Sequence, residues 1–259
     1  MIELNNKIKF ENVYFLSSLN KKEFDENMYL KIREKEGRIY SDDILKCLPE
    51  ISKTNPLNNE WQVRKATMKN LINYFSNKDK LSILDIGCGN GWLSNAISLN
   101  TNNFVFALDM NKNELLQGAK VFSYNKKLQF VYANIFENIF PPESFDSVIF
   151  SSSIQYFNDF ESLIKRIFYF LKAKGEIHIV DSNFYSIIGS IKAKRRTINY
   201  YKKLGFPEMV NFYYHRTKKE LKVFNYKRLN KKSINIMNIK RIFGMKSRAI
   251  FPWIVIIKN

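Results

Sequence analysis

The stretch that most constrains the fold is an apolar segment that ends in an acid and is followed by three alternating glycines. It reads Leu81-Ser-Ile-Leu-Asp85-Ile-Gly87-Cys-Gly89-Asn-Gly91-Trp92. The pattern predicts a buried strand whose backbone turns tightly and then enters a helix. Glycine is needed where a ligand lies against the main chain, because a Cβ atom would block it. The first N–H groups of the helix lack partners within the helix and point toward such a ligand.

Two kinds of cofactor are bound at turns of this type. A dinucleotide turn has the form Gly-x-Gly-x-x-Gly, with the third glycine packing the helix on the strand. Counted from Gly87, that third position holds the bulky Trp92. The alternating glycines after Asp85 resemble instead the first motif of the class I S-adenosylmethionine-dependent methyltransferases. A glycine-rich turn that holds no ligand is the alternative.

Strands and helices are predicted to alternate after this motif begins. The strands are predicted over 81–86, 104–109, 128–133, 145–150 and 175–180, and the helices over 92–99, 113–125 and 159–171. This rhythm, with nearly continuous apolar strands, predicts a parallel sheet covered by helices on both faces. Closing strands are predicted over 223–228 and 250–257. The order is similar to the α/β, Rossmann-like fold of class I methyltransferases, a seven-stranded, mostly parallel sheet with a reversed last strand.

The chain before the first strand of that sheet is predicted to be mostly helical. One helical face carries the apolar residues Trp61, Met68, Leu71, Ile72 and Phe75. We therefore predict an N-terminal helical cap or lid over 1–77 and a methyltransferase domain over 78–259. Residues 1–56 contain no motif whose chemistry can be argued.

The resemblance implies roles for the residues of the bend. Gly87, Gly89 and Gly91 would let the turn pass beneath the amino-acid part of S-adenosylmethionine. Asp85 would help to place the ammonium group of the cofactor, directly or through water. A cap for the amides of the turn is the alternative role of Asp85.

Further cofactor contacts are implied after the second, third and fourth strands. Asp109, 22 positions after Gly87, would take both ribose hydroxyls, because a carboxylate accepts two hydrogen bonds side by side; a helix N-cap is the alternative. Met110 would lie against the adenine face. Asn134, where the family usually has aspartate, keeps one acceptor oxygen for the adenine amino group, and the N–H of Ile135 would serve a ring nitrogen.

Two more cofactor contacts are implied, one at the end of the fourth strand and one before the first strand. Ser151, at the end of the fourth strand, has a carbonyl that could accept from the ammonium group. Arg64, in the pattern Glu60-Trp61-x-x-Arg64, would form a forked salt bridge to the methionine carboxylate. A surface arginine is an equally weighted alternative.

The residue that removes a proton from the methyl acceptor is left unassigned. Ser152, Ser153, Gln155 and Tyr156 follow the fourth strand, next to the expected methyl group. His178 is predicted to be a packed core residue. His215, in a tyrosine-rich segment, either acts as a base or packs.

The basic residues are concentrated in the last part of the chain. Residues 186–259 hold 19 Lys and Arg against two acids, whereas residues 1–185 hold 23 basic and 22 acidic groups. This asymmetry predicts a functional basic surface, and a merely solvated one is the alternative. If the substrate is a small or lipid-linked metabolite, the surface would steer an anionic substrate, an acidic carrier protein or a membrane surface. The amphipathic stretch 184–196 fits a membrane surface, or its apolar face packs on the sheet.

These observations favour one function over two alternatives. The nucleic-acid signature Asn/Asp-Pro-Pro-Tyr/Phe is absent after the fourth strand, where Ser151-Ser-Ser-Ile stands. The chain is thus similar to the small-molecule branch, of the methyltransferase type 11 kind, and methyl transfer to a small, lipid-linked or carrier-linked metabolite is predicted. An RNA or DNA methyltransferase is the alternative, with its lysines on phosphates and tyrosines stacking on bases. A binding protein without activity is the third.

The location of the protein is predicted from its cysteines and its first residues. Cys47 and Cys88 cannot form a disulfide framework or a zinc site, so no metal is expected. No signal peptide is recognised, and the most apolar run is too short to span a bilayer. We predict a cytoplasmic protein that associates peripherally with a membrane if the basic surface serves that purpose.

Overall fold

The computed structural model describes residues 8–18, 26–242 and 250–259. Its strands, in chain order, are β1 (Ile8–Phe10), β2 (Val13–Phe15), β3 (Ser82–Ile86), β4 (Phe104–Asp109), β5 (Leu128–Tyr132), β6 (Phe145–Ser151), β7 (Leu171–Val180), β8 (Tyr226–Arg228) and β9 (Ile254–Ile257). Its helices are α1 (Glu26–Lys35), α2 (Asp42–Cys47), α3 (Asn58–Ser76), α4 (Trp92–Asn100), α5 (Lys112–Val121), α6 (Phe160–Phe170), α7 (Ile187–Leu204), α8 (Lys218–Leu221) and α9 (Lys231–Ile242).

All these strands form one sheet in the order β1-β2-β5-β4-β3-β6-β7-β9-β8. The strands from β2 to β7 pair in parallel, whereas β9 runs antiparallel to both β7 and β8. The predicted fold class, including the reversed last strand, is therefore confirmed. The sheet has nine strands where seven were predicted.

The two additional strands belong to the part of the chain that was predicted to be mostly helical. β1 and β2 form a hairpin whose turn residues Glu11 and Asn12 both have positive φ, as a two-residue type I′ turn requires. β2 then pairs with the edge of β5, where Val13 is completely buried. The helical prediction is thus wrong for residues 8–15. The division into a cap over 1–77 and a domain over 78–259 stays a prediction.

Apolar side chains of the parallel strands are buried on both faces of the sheet. Leu84 of β3 packs in a cluster with residues of α6, whereas its neighbour Ile83 packs with residues of α3, α4 and α5. Alternate side chains of a strand point to opposite faces, so both faces are covered by helices. Within the described residues, no helix is long and apolar enough to cross a membrane.

Several predicted boundaries shift in the structure, and those of three strands shift by three or four residues. β7 begins at Leu171, directly after α6, and the predicted turn 172–175 is an irregularity within it, where Lys174 has a positive φ. β9 begins only at Ile254, after Pro252, since proline cannot donate a ladder hydrogen bond. β8 begins at Tyr226 rather than at position 223.

Candidate functional site: a cavity at the carboxyl ends of the strands

The glycine bend joins β3 to α4. Gly87, Gly89 and Gly91 have φ values of +72°, +56° and +71°, a region that other residues rarely adopt. A Cβ atom on Gly87 would lie 2.4 Å from the Cβ of Ser153, in the loop after β6. One on Gly91 would lie 2.5 Å from Cε1 of Phe130 in β5. Protein atoms therefore require glycine at both positions.

Hydrogen bonds connect the bend to the end of β4. The N–H groups of Gly87 and Cys88 donate to the carbonyl of Leu108, at 2.8 and 3.2 Å. The N–H of Gly89 donates to Oδ2 of Asp109 at 2.7 Å. The bend and the acid that ends β4 therefore form a single unit.

A cavity of about 1170 Å³ lies at the carboxyl ends of the parallel strands, where open α/β sheets bind their ligands. Nine of the ten residues that we predicted to bind the cofactor line it: Arg64, Asp85, Gly87, Gly89, Asp109, Met110, Asn134, Ile135 and Ser151. Gly91 is not among the lining residues, because it packs against Phe130.

Asp85 holds a buried carboxylate oxygen that has no partner. Its side chain is 1% exposed, and Oδ2 accepts a 2.6 Å hydrogen bond from the hydroxyl of Ser94 in α4. Oδ1 has no hydrogen-bond donor in the described part of the chain. Burial raises the pKa of Asp85 to about 7, a shift that Ser94 opposes and the nearby Asp109 charge reinforces. The partner of Asp85 is thus a hydroxyl group rather than the amides of the turn, and Oδ1 fits a cationic ligand group.

Asp109 is held by backbone groups on both of its oxygens. Oδ1 accepts from the N–H of Asn111 at 2.8 Å, and Oδ2 accepts from Gly89. Burial raises the pKa of Asp109, while these N–H groups oppose the shift. The side chain that caps α5 is that of Asn111. Each oxygen of Asp109 keeps lone pairs for a further donor such as a hydroxyl group.

Glu114 is an acid of the cavity that the sequence analysis did not single out. It lies in the first turn of α5, where its N–H donates to the Asn111 side chain at 3.1 Å. Its carboxylate is close enough to Gly89 that a Cβ there would lie 3.4 Å from Oε2. Burial raises the pKa of Glu114 to about 7, although Arg33 opposes the shift. The Asn-x-x-Glu spacing after Asp109 is a capping pattern that signals this position.

The loop after β5 forms the side of the cavity that we assigned to adenine. Oδ1 of Asn134 accepts from the N–H of Phe136 at 3.1 Å, and the N–H of Asn134 donates to the hydroxyl of Ser17 at 3.0 Å. The Asn134 oxygen is therefore shared with the backbone of its own loop. The N–H of Ile135 has no acceptor within the described ranges, so it is available to donate a hydrogen bond to a ligand.

Arg64 belongs to an ion-pair network at the mouth of the cavity. Its Nε donates to Glu60 at 2.9 Å, and Arg38 holds the same carboxylate with two hydrogen bonds of 2.7 and 2.6 Å. Burial alone would raise the pKa of Glu60, but Arg38 and Arg64 outweigh it and lower the pKa to about 2. The Nη atoms of Arg64 have no hydrogen-bond acceptor among the residues described, so they are free for a carboxylate.

Asp181 follows the end of β7 and also lines the cavity. Its Oδ1 accepts a 2.6 Å hydrogen bond from the hydroxyl of Thr67 in α3. Burial raises its pKa, and the charge of Arg64 opposes this. Its place after a parallel strand is the signal by which sequence analysis could have selected it.

An aromatic roof covers the cavity. Ile32 of α1, Tyr201 of α7 and Met209 form its buried core, with Tyr29, Tyr156 and Tyr213 packed around them. Tyr156 contacts Tyr29 and Tyr213 edge to face, with ring centroids 6.3 and 5.8 Å apart. The roof therefore combines the N-terminal part of the chain with residues 187–213.

The two histidines have different surroundings. His178 is completely buried, and its Nδ1 accepts from the indole of Trp253 at 3.1 Å. The predicted core role of His178 is therefore confirmed. His215 lines the cavity and lies 2.9 Å from the hydroxyl of Thr197. Burial, together with the charges of Arg196 and Lys194, lowers the pKa of His215, so its imidazole is neutral near pH 7.

The other residues that we considered for proton removal also line the cavity. Ser152, Ser153, Gln155 and Tyr156 are all among the lining residues. The hydroxyl of Ser153 donates to the carbonyl of Ile86 at 2.6 Å, which commits it to the bend. Tyr156 stays protonated, because burial raises its pKa.

Comparison with known proteins identifies the family. A family model described as "Methyltransferase domain" matches residues 77–233. The chain belongs to this family and is a class I S-adenosylmethionine-dependent methyltransferase. No functionally curated protein matches the chain in sequence.

Solved structures share the fold at low sequence identity. The YcgJ protein from Bacillus subtilis is 15% identical, with a TM-score of 0.57 over 75% of this chain and 99% of that chain. A geranyl diphosphate methyltransferase in complex with S-adenosylmethionine is 11% identical, with a TM-score of 0.55 over 80% and 92%. Phosphoethanolamine N-methyltransferase 2 from Haemonchus contortus is 16% identical, with a TM-score of 0.52 over 88% and 60%.

The residues of the cavity fit the family's cofactor. Asp85 offers an unpaired buried carboxylate oxygen to a cation, and Asp109 offers lone pairs to hydroxyl groups. The N–H of Ile135 and the Nη atoms of Arg64 offer donors to a ring nitrogen and a carboxylate. The donors and acceptors thus match the ammonium, ribose, adenine and carboxylate groups of S-adenosylmethionine.

Proposed function

We propose that this methyltransferase acts on a small metabolite, either free or linked to a lipid or to a carrier. The observation that carries the proposal is the roofed cavity beside the glycine bend. Its volume of about 1170 Å³ exceeds the roughly 300–1,000 Å³ of ordinary small-molecule pockets. There is therefore room for a second small molecule beside the cofactor.

The chemistry relies on an activated sulfonium methyl group that the cofactor supplies. Asp85, Asp109, Ile135 and Arg64 would hold the cofactor at the bend. The tyrosines of the roof exclude water and orient the acceptor. Orientation of this kind contributes several kcal/mol, up to about 7–11 kcal/mol in the best cases.

A proton acceptor is needed only if the methyl acceptor carries a proton. His215 is the candidate proton acceptor, because its imidazole is neutral and the residue lines the cavity. It would take the proton on Nδ1 while its Nε2 is hydrogen-bonded to the hydroxyl of Thr197.

The surroundings of Arg216 are evidence for a methyl acceptor that carries a negative charge. Arg216 is 5% exposed and lines the cavity. Its Nη1 donates to the carbonyl of Asn158 and to Glu220, at 3.1 and 3.0 Å, while Nε and Nη2 lack partners in the described structure. Unpaired buried donors are costly, and a carboxylate or phosphate on the acceptor would remove this cost.

Methylation of RNA or DNA is the second candidate, and the 19 basic residues of the last part of the chain favour it. The tyrosines that could stack on bases are Tyr200, Tyr201, Tyr213 and Tyr214, and two of them are engaged elsewhere. Tyr201 is buried in the roof, and Tyr213 packs against Tyr156. This arrangement supports the small acceptor over the polynucleotide.

The experiment that tests the proposal is transfer of a labelled methyl group to a cell extract. The extract is divided into small molecules, lipids, proteins and nucleic acids, and each fraction is incubated with labelled S-adenosylmethionine. We expect label in the small-molecule, lipid or carrier-protein fraction, and much less label when Asp109→Ala replaces the natural protein. Label confined to RNA or DNA would overturn the proposal and support the second candidate.

A further inference from the structure

The helix α7 has an apolar face that no described residue covers. Ile187, Ile188, Ile191 and Ile198 are 64%, 69%, 53% and 40% exposed. The predicted alternative, in which this face packs on the sheet, therefore fails for the isoleucines. Only Phe184, which precedes α7, joins the core. Contiguous exposed apolar side chains mark a contact surface.

An adjacent face of the same helix roofs the cavity. Ala193, Thr197 and Tyr201 line the cavity. At 3.6 residues per turn they are centred roughly a quarter turn around the helix axis from Ile187, Ile191 and Ile198. The same helix thus contributes to the roof and exposes the isoleucines to solvent.

Exposed cations border the isoleucines. On α7 they are Lys192, Lys194, Arg195, Lys202 and Lys203, and the helix contains no acid. The start of α8 lies beside the start of α7, because the N–H of Lys218 donates to the carbonyl of Tyr185 at 2.8 Å. Three further exposed lysines therefore lie near the start of α7: Lys218, Lys219 and Lys222.

We propose that this surface, the exposed face of α7 with the lysines of α8, binds an anionic lipid bilayer. Aliphatic side chains flanked by Lys and Arg are what an interfacial helix needs, since the former enter the acyl boundary and the latter meet the headgroups. The inference goes beyond the proposed function and does not depend on which molecule accepts the methyl group.

The chemistry of the surface favours lipid over other partners. Proteins that track polynucleotides place aromatic rings among their cations, and the exposed face of α7 carries isoleucines instead. Energetic centres of protein interfaces are rich in Trp, Tyr and Arg, with aliphatic residues less prominent. Isoleucine with lysine and arginine is therefore best matched by acyl chains beneath anionic headgroups.

The test is flotation of the full-length protein with lipid vesicles. Vesicles of phosphatidylcholine alone are compared with vesicles that also contain phosphatidylglycerol, each at low and at high salt. We expect flotation with the anionic vesicles at low salt, and at least about tenfold weaker partitioning to neutral vesicles or at high salt. Equal partitioning to both lipid compositions would contradict the charge complementarity on which the proposal rests.

The variants separate this surface from apolar surface in general. The triple variant Ile187→Ser, Ile188→Ser, Ile191→Ser should lose at least about tenfold in partitioning. The pair Ile44→Ser, Leu99→Ser removes similarly exposed residues from α2 and α4 and should float like the natural protein. Calorimetry with S-adenosylhomocysteine reports folding of each variant, because none of these residues lines the cavity.

Three outcomes would overturn the proposal. One is flotation of the triple isoleucine variant at the natural level while its cofactor binding is intact. Another is an absence of flotation of the natural protein with anionic vesicles at low salt. The third is that the natural protein and the triple variant both bind a polyuridylate probe while neither binds vesicles. That result would assign the basic surface to nucleic acid. Methyl transfer in the fractionation experiment is unaffected by any of these results, so the two proposals fail separately.

Discussion

Four carboxylates line the cavity in which we expect the cofactor to bind. Asp85, Asp109, Glu114 and Asp181 lie within one cavity, and burial raises the pKa of each of them. Neighbouring buried acids disfavour one another's charge. A cationic ligand relieves this repulsion, which is a reason for the site to prefer a sulfonium with an ammonium group.

Asp109→Ala should weaken binding of S-adenosylhomocysteine by at least about tenfold, equivalent to about 1.4 kcal/mol. The variant loses the acceptors for two hydroxyl groups and the hydrogen bond that holds the N–H of Gly89. Asp109→Asn keeps one acceptor oxygen and should lie between the two. Calorimetry measures all three affinities, and an unchanged value for the alanine variant would show that the ribose contact is wrongly assigned.

Cofactor binding should also depend on pH through Asp85. Its folded pKa of about 7 lies above the ordinary value of 3.8, so its stabilising contribution is complete below pH 3.8 and is lost as pH rises through about 7. A bound ammonium group favours the ionised acid, and the affinity should therefore increase as pH rises from about 5 to 7.

Calorimetry in two buffers of different ionisation heat should detect the proton that Asp85 releases on binding. Asp85→Asn should remove that release and flatten the dependence of affinity on pH. Glu114→Gln is the matched control. The pKa of Glu114 is also raised to about 7, but its carboxylate lies beside Gly89 and not at the position that we assign to the ammonium group. If Asp85→Asn leaves the pH dependence intact, the ammonium group lies elsewhere.

At the scale of elements, the glycine bend depends on contact with the loop after β6. Gly87→Ala should lower the free energy of unfolding by about 2–4 kcal/mol, because a strained φ is combined with a clash against Ser153. Gly37→Ala is the control, since Gly37 has φ +66° but open space around it, and should cost only about 1 kcal/mol.

Denaturant unfolding of the two alanine variants measures this difference. The clash with Ser153 is the feature that distinguishes them, as both positions carry similar φ values. Equal losses would mean that the loop after β6 moves away at no cost and that the bend is not fixed by Ser153.

The elements that sequence analysis predicted are those whose pattern is local. β3, β4 and β6 are apolar runs, and the bend is marked by its glycines, so the ends of these strands and the acids Asp85 and Asp109 could be placed in advance. β1 and β2 have three residues each, too few for a period, and β2 is stabilised by pairing with the distant β5. A helical prediction for that region missed them for this reason.

The roof of the cavity shows the same limit for the site. Tyr29, Tyr156 and Tyr213 meet only because three distant segments pack together, and no spacing in the sequence signals their contact. Glu114 and Asp181, in contrast, stand at a helix start and a strand end. Their positions could have been selected from the pattern that identified Asp109.

At the scale of the whole molecule, contacts between α1 and α7 hold the roof closed over the cavity. The Nζ of Lys35 donates to the carbonyl of Leu204 at 3.1 Å, and the hydroxyl of Tyr200 donates to Glu36 at 2.5 Å. These bonds are few and exposed, so the roof should open more easily than the sheet.

S-adenosylhomocysteine should therefore slow amide hydrogen exchange in α1, because Tyr29 and Arg33 line the cavity that it fills. α6 is the internal reference, since it packs on the other face of the sheet from α3, α4 and α5. Mass spectrometry of exchanged peptides measures both helices. The same protection in α1 and α6, or none in α1, would contradict a roof that responds to the ligand.

The hairpin of β1 and β2 has a consequence for how the molecules behave together. By pairing with β5 it leaves β1, a three-residue strand, at that border of the sheet, and the three residues of β8, two of them cationic, form the other border. Long unpaired borders let sheets from different molecules join, and short or charged ones prevent it. Pairing between the sheets of different molecules is therefore disfavoured. A sheet that ended at β5, without the hairpin, would aggregate at lower protein concentrations.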